Sequence, residues 1–232
     1  MPNWTQNFKG LLNLFLQANC PLCQRPTAQE FCLDCTRQLQ GCKMPHPQSL
    51  WQGELPVFAW GMYGGALKRA LAALKYENQP QLAQPLGDWL AQAWLNSQFA
   101  SGAIVVAPIP LHADKLHQRG YNQALLLAES FCHTTGLRLQ QQGLERVRNT
   151  APQFSTSARE REKNLAGAFA LGAGFRRHRP AYPVLILDDI YTTGATARLA
   201  AQTLCDAGIA VCGVVAIAAT SNRAGGERIH NS

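Results

Sequence analysis

The segment Asp188-Asp189-Ile190-Tyr191-Thr192-Thr193-Gly194-Ala195-Thr196 places two adjacent carboxylates just ahead of a loop of hydroxyls and glycine. A loop that opens a helix presents free backbone N–H groups, and the helix dipole favours an anion there. Thr192, Thr193 and Thr196 add hydroxyl donors, Ala195 lies between them, and Gly194 lets an anion approach the backbone. Such a cradle fits a phosphate monoester. Asp188 and Asp189 cannot hold a phosphate themselves. They can accept hydrogen bonds from a sugar diol or contact a divalent ion that bridges the ligand. Together these residues specify a sugar-phosphate site. The sequence contains neither the GxxxxGK[ST] loop nor the GxGxxG turn here.

A second constellation lies near the start. Cys20-Pro21-Leu22-Cys23 and Cys32-Leu33-Asp34-Cys35 are separated by eight residues. Paired CxxC knuckles at this spacing predict one tetrathiolate zinc site, with each sulfur about 2.3 Å from the ion. Four thiolates fill the coordination sphere, so the expected role is structural. A redox CxxC would open a helix after a core strand, and neither pair does. Cys42 and His46 are spare. Charge supplies a third signal: residues 138–179 hold nine basic and three acidic side chains, so most of the +7 formal charge falls there. This stretch is expected to face an anion, either phosphate, pyrophosphate or nucleic acid.

The elements that must position these groups follow from apolar patterning. Residues 184–187 form a continuous apolar run ended by the two acids, residues 195–207 read as a helix, and residues 209–218 as the next strand. Strand, loop, helix and strand make a βαβ unit, whose ligands bind beyond the C-terminal strand ends. Residues 103–107 predict another parallel strand, ended by Pro108 and Pro110. A polar loop over 111–120 and a helix from Gln123 to about Thr134 come next. Upstream, residues 57–62 read as a strand, 63–65 as a turn, 66–76 as a helix with Leu67, Leu71 and Leu74 on one face, and 81–95 as a second helix. Residues 169–171 read as a short strand and 176–179 as a solvated turn. Three prolines within residues 45–56 divide the chain into a zinc-binding module with an apolar N-terminal helix (1–50) and an α/β domain (51–232).

Composition narrows the class. The chain has 232 residues, 47% of them hydrophobic and 15% charged, which excludes a disordered chain. The apolar run at 209–219 is far short of the roughly 20 residues that span a bilayer. Residues 11–16 lack the clean apolar core of a secretory signal, so a cytoplasmic protein is expected. Eight cysteines in a chain of this kind favour metal over a disulfide framework. Cys132, Cys205 and Cys212 read as core residues. Trp4, Trp51 and Trp60 read chiefly as core, with stacking on nucleic-acid bases as the alternative.

Residues 184–196 resemble the binding motif for phosphoribosyl pyrophosphate (PRPP) of type I phosphoribosyltransferases. Over nearly its full length the chain resembles the ComF family, linked to competence and DNA uptake in bacteria. The resemblance rests on the Cys module, Tyr63-Gly64-Gly65, Leu74-Lys75-Tyr76, Pro108-Ile109-Pro110-Leu111-His112, Arg119-Gly120-Tyr121-Asn122-Gln123, Gln153 with Arg161 and Asn164, and Gly167-Ala168-Phe169. It implies a type I phosphoribosyltransferase-like fold: a Rossmann-like, mostly parallel sheet flanked by helices, with a small zinc-ribbon-like module. It also implies that Asp188 and Asp189 engage ribose hydroxyls and that residues 192–196 wrap the 5′-phosphate. Pro110, Leu111, His112, Lys115 and Arg119 would form the pyrophosphate loop. Gln153, Arg159, Arg161 and Asn164 would lie on a lid, with Arg161 its cation and Lys75 a further contact.

The reaction so implied passes phosphoribose from PRPP to a nitrogen acceptor, with Mg²⁺ accompanying PRPP and Zn²⁺ structural. The alternative it leaves is a non-catalytic competence factor that binds single-stranded DNA or a partner ATPase or helicase. Three positions depart from the family pattern. A further CxxC is replaced by Cys42 alone, Thr156 stands where Leu is usual, and His117-Gln118 precede Arg119 where basic residues are common.

Overall fold

The computed structural model describes residues 18–50, 55–100, 102–148 and 167–220. The chain enters through β1 (Ala18–Asn19) and β2 (Pro26–Thr27), an antiparallel pair, followed by α1 (Leu33–Gln40). Then come β3 (Val57–Met62), α2 (Gly65–Tyr76), a 3-10 turn at Pro80–Leu82, α3 (Ala83–Leu95) and β4 (Val105–Pro108). A short α4 (Ala113–Arg119) leads to α5 (Gln123–Thr135), β5 (Arg138–Leu139) and β6 (Leu144–Arg146). The described chain closes with β7 (Phe169–Leu171), α6 (Ala173–Arg177), β8 (Val184–Tyr191), α7 (Ala195–Asp206) and β9 (Val211–Ala219).

Five strands form one parallel sheet in the order β3-β9-β8-β4-β5. Its centre is dry: residues 184–187 and 214–218 are fully buried, as continuous apolar runs require when helices cover both faces. The order fixes where a ligand can bind. From β4 the chain moves outward to β5, whereas from β8 it moves the other way to β9. The loops leaving β4 and β8 therefore diverge and open a crevice at their C-terminal ends. The mostly parallel α/β fold expected from the sequence is the one found.

Aromatic packing ties the cysteine module to this body. Phe31 stacks on Trp89 of α3 at 5.8 Å between ring centroids, and Trp60 of β3 stacks on the same indole at 5.4 Å. Trp94 meets Phe58 edge-on at 5.3 Å. Residues 43–50 also bridge to β3, through Lys43 opposite Gly61 and Leu50 opposite Val57, so an edge strand is covered rather than left open.

Several local expectations change. The polar loop expected over 111–120 contains α4, which buries no residue and so shows no apolar period. It is specified by its ends: the His112 side chain accepts from the Asp114 amide, and Gly120 takes the left-handed conformation (φ 82°). Strand β8 does not stop before the acids but runs on through Tyr191, because β9 pairs with it as far as Ala219. Residues 173–177 form α6, where a turn was expected further on, and buried Phe175 anchors it. Cys132 is buried and Cys212 half-buried, whereas Cys205 is exposed, since α7 turns Ala197, Ala200, Ala201 and Leu204 inward instead. Trp60 is core; Trp4, Trp51 and the apolar N-terminal segment lie outside the described residues.

Candidate functional site

Asp188 and Asp189 stand at the mouth of the crevice. Neighbouring strand residues leave opposite faces, and the two acids accordingly meet different partners. Asp189 is 4% exposed and its Oδ2 lies 2.5 Å from the Lys75 ammonium, itself mostly buried. Its Oδ1 accepts from the Ile190 amide at 2.9 Å. Asp188 accepts from the Asp189 amide at 2.8 Å and lies within electrostatic range of Arg146. Burial, with the adjacent Asp189 carboxylate, pushes Asp188 well above the usual carboxylate range, and Lys75 offsets only part of this.

Cations gather on the β4 side. Burial lowers Lys115, and the neighbouring charges of Arg146, Arg119 and Lys75 lower it further, so three other cations lie within electrostatic range of it. Arg119 is held by the Gln123 amide oxygen and lies over the Tyr76 ring, 5.6 Å from its centroid. Tyr121 donates to the Leu74 carbonyl at 2.6 Å, so the start of α5 is pinned to the end of α2. Asn122 donates to the Ile109 carbonyl at 3.0 Å and caps α5 through the Ala124 amide, which fixes the turn carrying Pro110, Leu111 and His112.

On the β8 side, Gly194 has φ 74°, and α7 begins directly after it. A Cβ there would stand 2.3 Å from the Tyr191 hydroxyl and 2.9 Å from an Arg198 guanidinium nitrogen. Thr192 and Thr193 are exposed, with Ala195 and Thr196 half-exposed in the first turn of α7. Exposed hydroxyls and the amides that open α7 thus follow directly on the strand that carries the acids. The structure brings together Lys75, Pro110, Leu111, His112, Lys115, Arg119, Asp188, Asp189 and the loop at 192–196 along the strand ends. Gln153, Arg159, Arg161 and Asn164 lie outside the described residues.

Arg146 was not singled out from the sequence. It ends β6 opposite Phe169 of β7, with its guanidinium over that ring at 5.5 Å from the centroid. In sequence it was one cation among nine in a basic stretch. In the fold it comes within electrostatic range of Asp188 and Lys115.

The thiol groups of Cys20, Cys23, Cys32 and Cys35 lie within 4.8 Å of one another, with 3.5 Å between the sulfurs of Cys23 and Cys32. Tetrahedral zinc with 2.3 Å bonds separates its sulfurs by about 3.8 Å, so the donor set fits. The knuckle is built by amides: Gln24 donates to the Cys20 carbonyl at 2.7 Å, from a left-handed backbone (φ 61°). The Arg25 backbone amide does most to bring Cys23 down to about 6, while burial pushes Cys35 far up. Cys42 stands apart, against Gly64 and Gly65, and exposed His46 is not in the cluster. Among the described residues, no helix is long and apolar enough to cross a membrane.

No protein-family model matches the chain. Among solved structures, the allosteric regulatory enzyme of purine biosynthesis is similar at 17% identity and a TM-score of 0.40, over 63% of this chain and 29% of that one. Adenine phosphoribosyltransferase from Leishmania donovani is similar at 10% identity and a TM-score of 0.37, over 69% of this chain and 75% of that one. Among characterised sequences, competence protein F of Haemophilus influenzae is 26% identical over 81% of this chain and 84% of its own length. Competence protein ComFC of Bacillus subtilis is 25% identical over 82% and 72%. The DNA utilization protein YhgH of Salmonella typhimurium is 32% identical over 188 residues, which are 80% of this chain and 77% of that protein. Identity at that level, over that share of both chains, makes this protein a member of the family that contains YhgH and the ComF competence proteins.

Proposed function

We propose that the chain binds PRPP at the C-terminal ends of β4 and β8 and transfers its phosphoribosyl group to a nitrogen acceptor, in the cytoplasm and in the service of DNA uptake. The observation that carries this reading is the acid pair between a cationic wall and an amide- and hydroxyl-lined loop. Each part of PRPP has a complement. The loop at 192–196 suits the 5′-phosphate, the acids suit the ribose hydroxyls, and Lys75, Lys115, Arg119 and Arg146 suit the pyrophosphate. Mg²⁺ would arrive on the pyrophosphate and take up part of its charge as it leaves. In the transfer, the bond from the ribose anomeric carbon to pyrophosphate breaks as the acceptor nitrogen bonds to that carbon, and the nitrogen then loses a proton. The chain's own contribution is positioning and electrostatic stabilisation of the departing charge.

Calorimetric titration of the zinc-loaded protein with PRPP tests this directly. Saturable binding that strengthens with Mg²⁺, followed by pyrophosphate release when nitrogen acceptors are supplied, is the expected result. Absence of binding at millimolar PRPP rejects the transferase reading. It would favour the non-catalytic role on single-stranded DNA or a partner ATPase, visible as strongly salt-dependent binding to single strands.

Gly194→Ala should weaken PRPP binding by about tenfold or more. The substitution forces a Cβ into a left-handed conformation at a cost of roughly 1–2 kcal/mol and drives it against the Tyr191 hydroxyl, so the loop and that ring must shift apart. A titration beside a thermal melt separates the two effects. Binding should also depend on pH. Ribose hydroxyls donate to a carboxylate, so PRPP binding expels the proton held by Asp188 between Asp189, Lys75 and Arg146. Affinity should therefore rise with pH through the interval above about 4 and level off once Asp188 is ionised. Stability of the free protein runs the other way. The folded state holds this proton more tightly than the unfolded chain, so the contribution of Asp188 declines as pH rises through the same interval. Calorimetry in buffers of different ionisation enthalpy reads the released proton.

A further inference from the structure

Tyr76 ends α2 and is 78% exposed, the most exposed of the large apolar side chains among the described residues. The backbone around it is held, since the Glu77 amide donates to the Ala73 carbonyl and Tyr121 to the Leu74 carbonyl, and Arg119 covers one face of the ring. Arg119 is in turn fastened to Gln123, which is buried. A tyrosine anchored in this way retains one bare aromatic face at little further cost in ordering. The Arg119 that covers it lies within electrostatic range of Lys115, as does Lys75, so the ring stands at the edge of the cationic wall.

We propose that Tyr76 is the stacking platform for a nucleobase, held with its ring on the open face while Arg119 backs the other. Every base offers a π-face, and stacking on an aromatic side chain accepts any of them. The site therefore selects for a flat nitrogen heterocycle before it selects among bases. The cations at Lys75, Lys115, Arg119 and Arg146 give a ligand that also carries phosphate a place for its charge. This deepens the phosphoribosyl reading and rests on it, since it places the ring of an acceptor at the edge of the same crevice. The base can come from two sources, a free base acting as acceptor or a base in a single strand.

The test compares the full-length zinc-loaded protein with Tyr76→Ala and Tyr76→Phe. Adenine and cytosine, titrated with and without PRPP, form one arm, and a labelled single-stranded oligothymidine forms the other. The parent is expected to bind in at least one arm. Tyr76→Ala should weaken that binding by about tenfold or more, Tyr76→Phe should leave it little changed, and PRPP affinity should be the same in all three proteins. Dependence on Tyr76 in the first arm assigns a free acceptor; dependence confined to the second assigns a strand. The proposal is overturned if the parent binds neither probe, if Tyr76→Ala binds as tightly as the parent, or if Tyr76→Phe loses as much as Tyr76→Ala. A parent that fails to bind PRPP rejects the phosphoribosyl reading alone, because the titrations without PRPP still decide the role of Tyr76.

Discussion

Cys35→Ser is expected to strip the protein of zinc and to lower its thermal midpoint by about 10 °C or more, whereas Cys42→Ser should change neither. Both expectations follow from where the sulfurs lie. Cys35 is buried and belongs to the four-thiol cluster, while Cys42 packs against Gly64 and Gly65 outside it. A serine hydroxyl is not ionised at neutral pH and cannot replace a thiolate. Three remaining thiols then surround a vacated centre, and metal binding that contributes directly to folding is lost. In isolated zinc-finger peptides that contribution is roughly 10–16 kcal/mol. Here part of the module survives by packing, because Phe31 stacks on Trp89, so a loss of several kcal/mol is the reasonable scale. At about 2–4 °C per kcal/mol for a chain of this size, that gives the predicted shift. Metal analysis of the purified variants and a thermal melt check it. Full zinc content in Cys35→Ser would rule out the tetrathiolate site.

The four-cysteine cluster was legible in sequence because both knuckles are local. So was the loop after β8, where strand, acids, hydroxyls and helix follow one another within a single βαβ unit. What the sequence hid is tertiary. Lys75 and Asp189 lie far apart along the chain, and their contact exists only because α2 and β8 flank the same crevice. Arg146 was indistinguishable from its basic neighbours until β6 paired with β7. The helix α4 was hidden for a different reason. It buries nothing, so no periodic signal marks it, and its two ends alone specify it. The reach of β8 past Leu187 was likewise a matter of pairing: the ladder with β9 continues where the apolar run stops. Sequence patterning therefore found the acids and the loop, and the family resemblance named Lys75, Lys115 and Arg119; neither showed Arg146 or the pairing of Lys75 with Asp189.

Lys75→Met should destabilise the protein by about 3–5 kcal/mol, because it leaves the Asp189 carboxylate buried without its counter-charge. The thermal midpoint should fall by roughly 10 °C. If that is the whole effect, the second substitution Asp189→Leu, which removes the stranded charge, should restore most of the lost stability. Replacing both members of a buried ion pair with apolar groups is often neutral or favourable. Binding separates function from stability. In Lys75→Met with Asp189→Leu the fold should recover, but the carboxylate and the cation that the proposed function assigns to ribose and pyrophosphate are gone, so PRPP affinity should fall below detection. A pair kept only for stability would give the reverse: a double variant less stable than the parent and still able to bind. Thermal melts and PRPP titrations on the parent, the two single variants and the double variant complete the cycle. If the double variant matches the parent in stability but has lost PRPP, the buried pair is explained by a ligand and not by the fold.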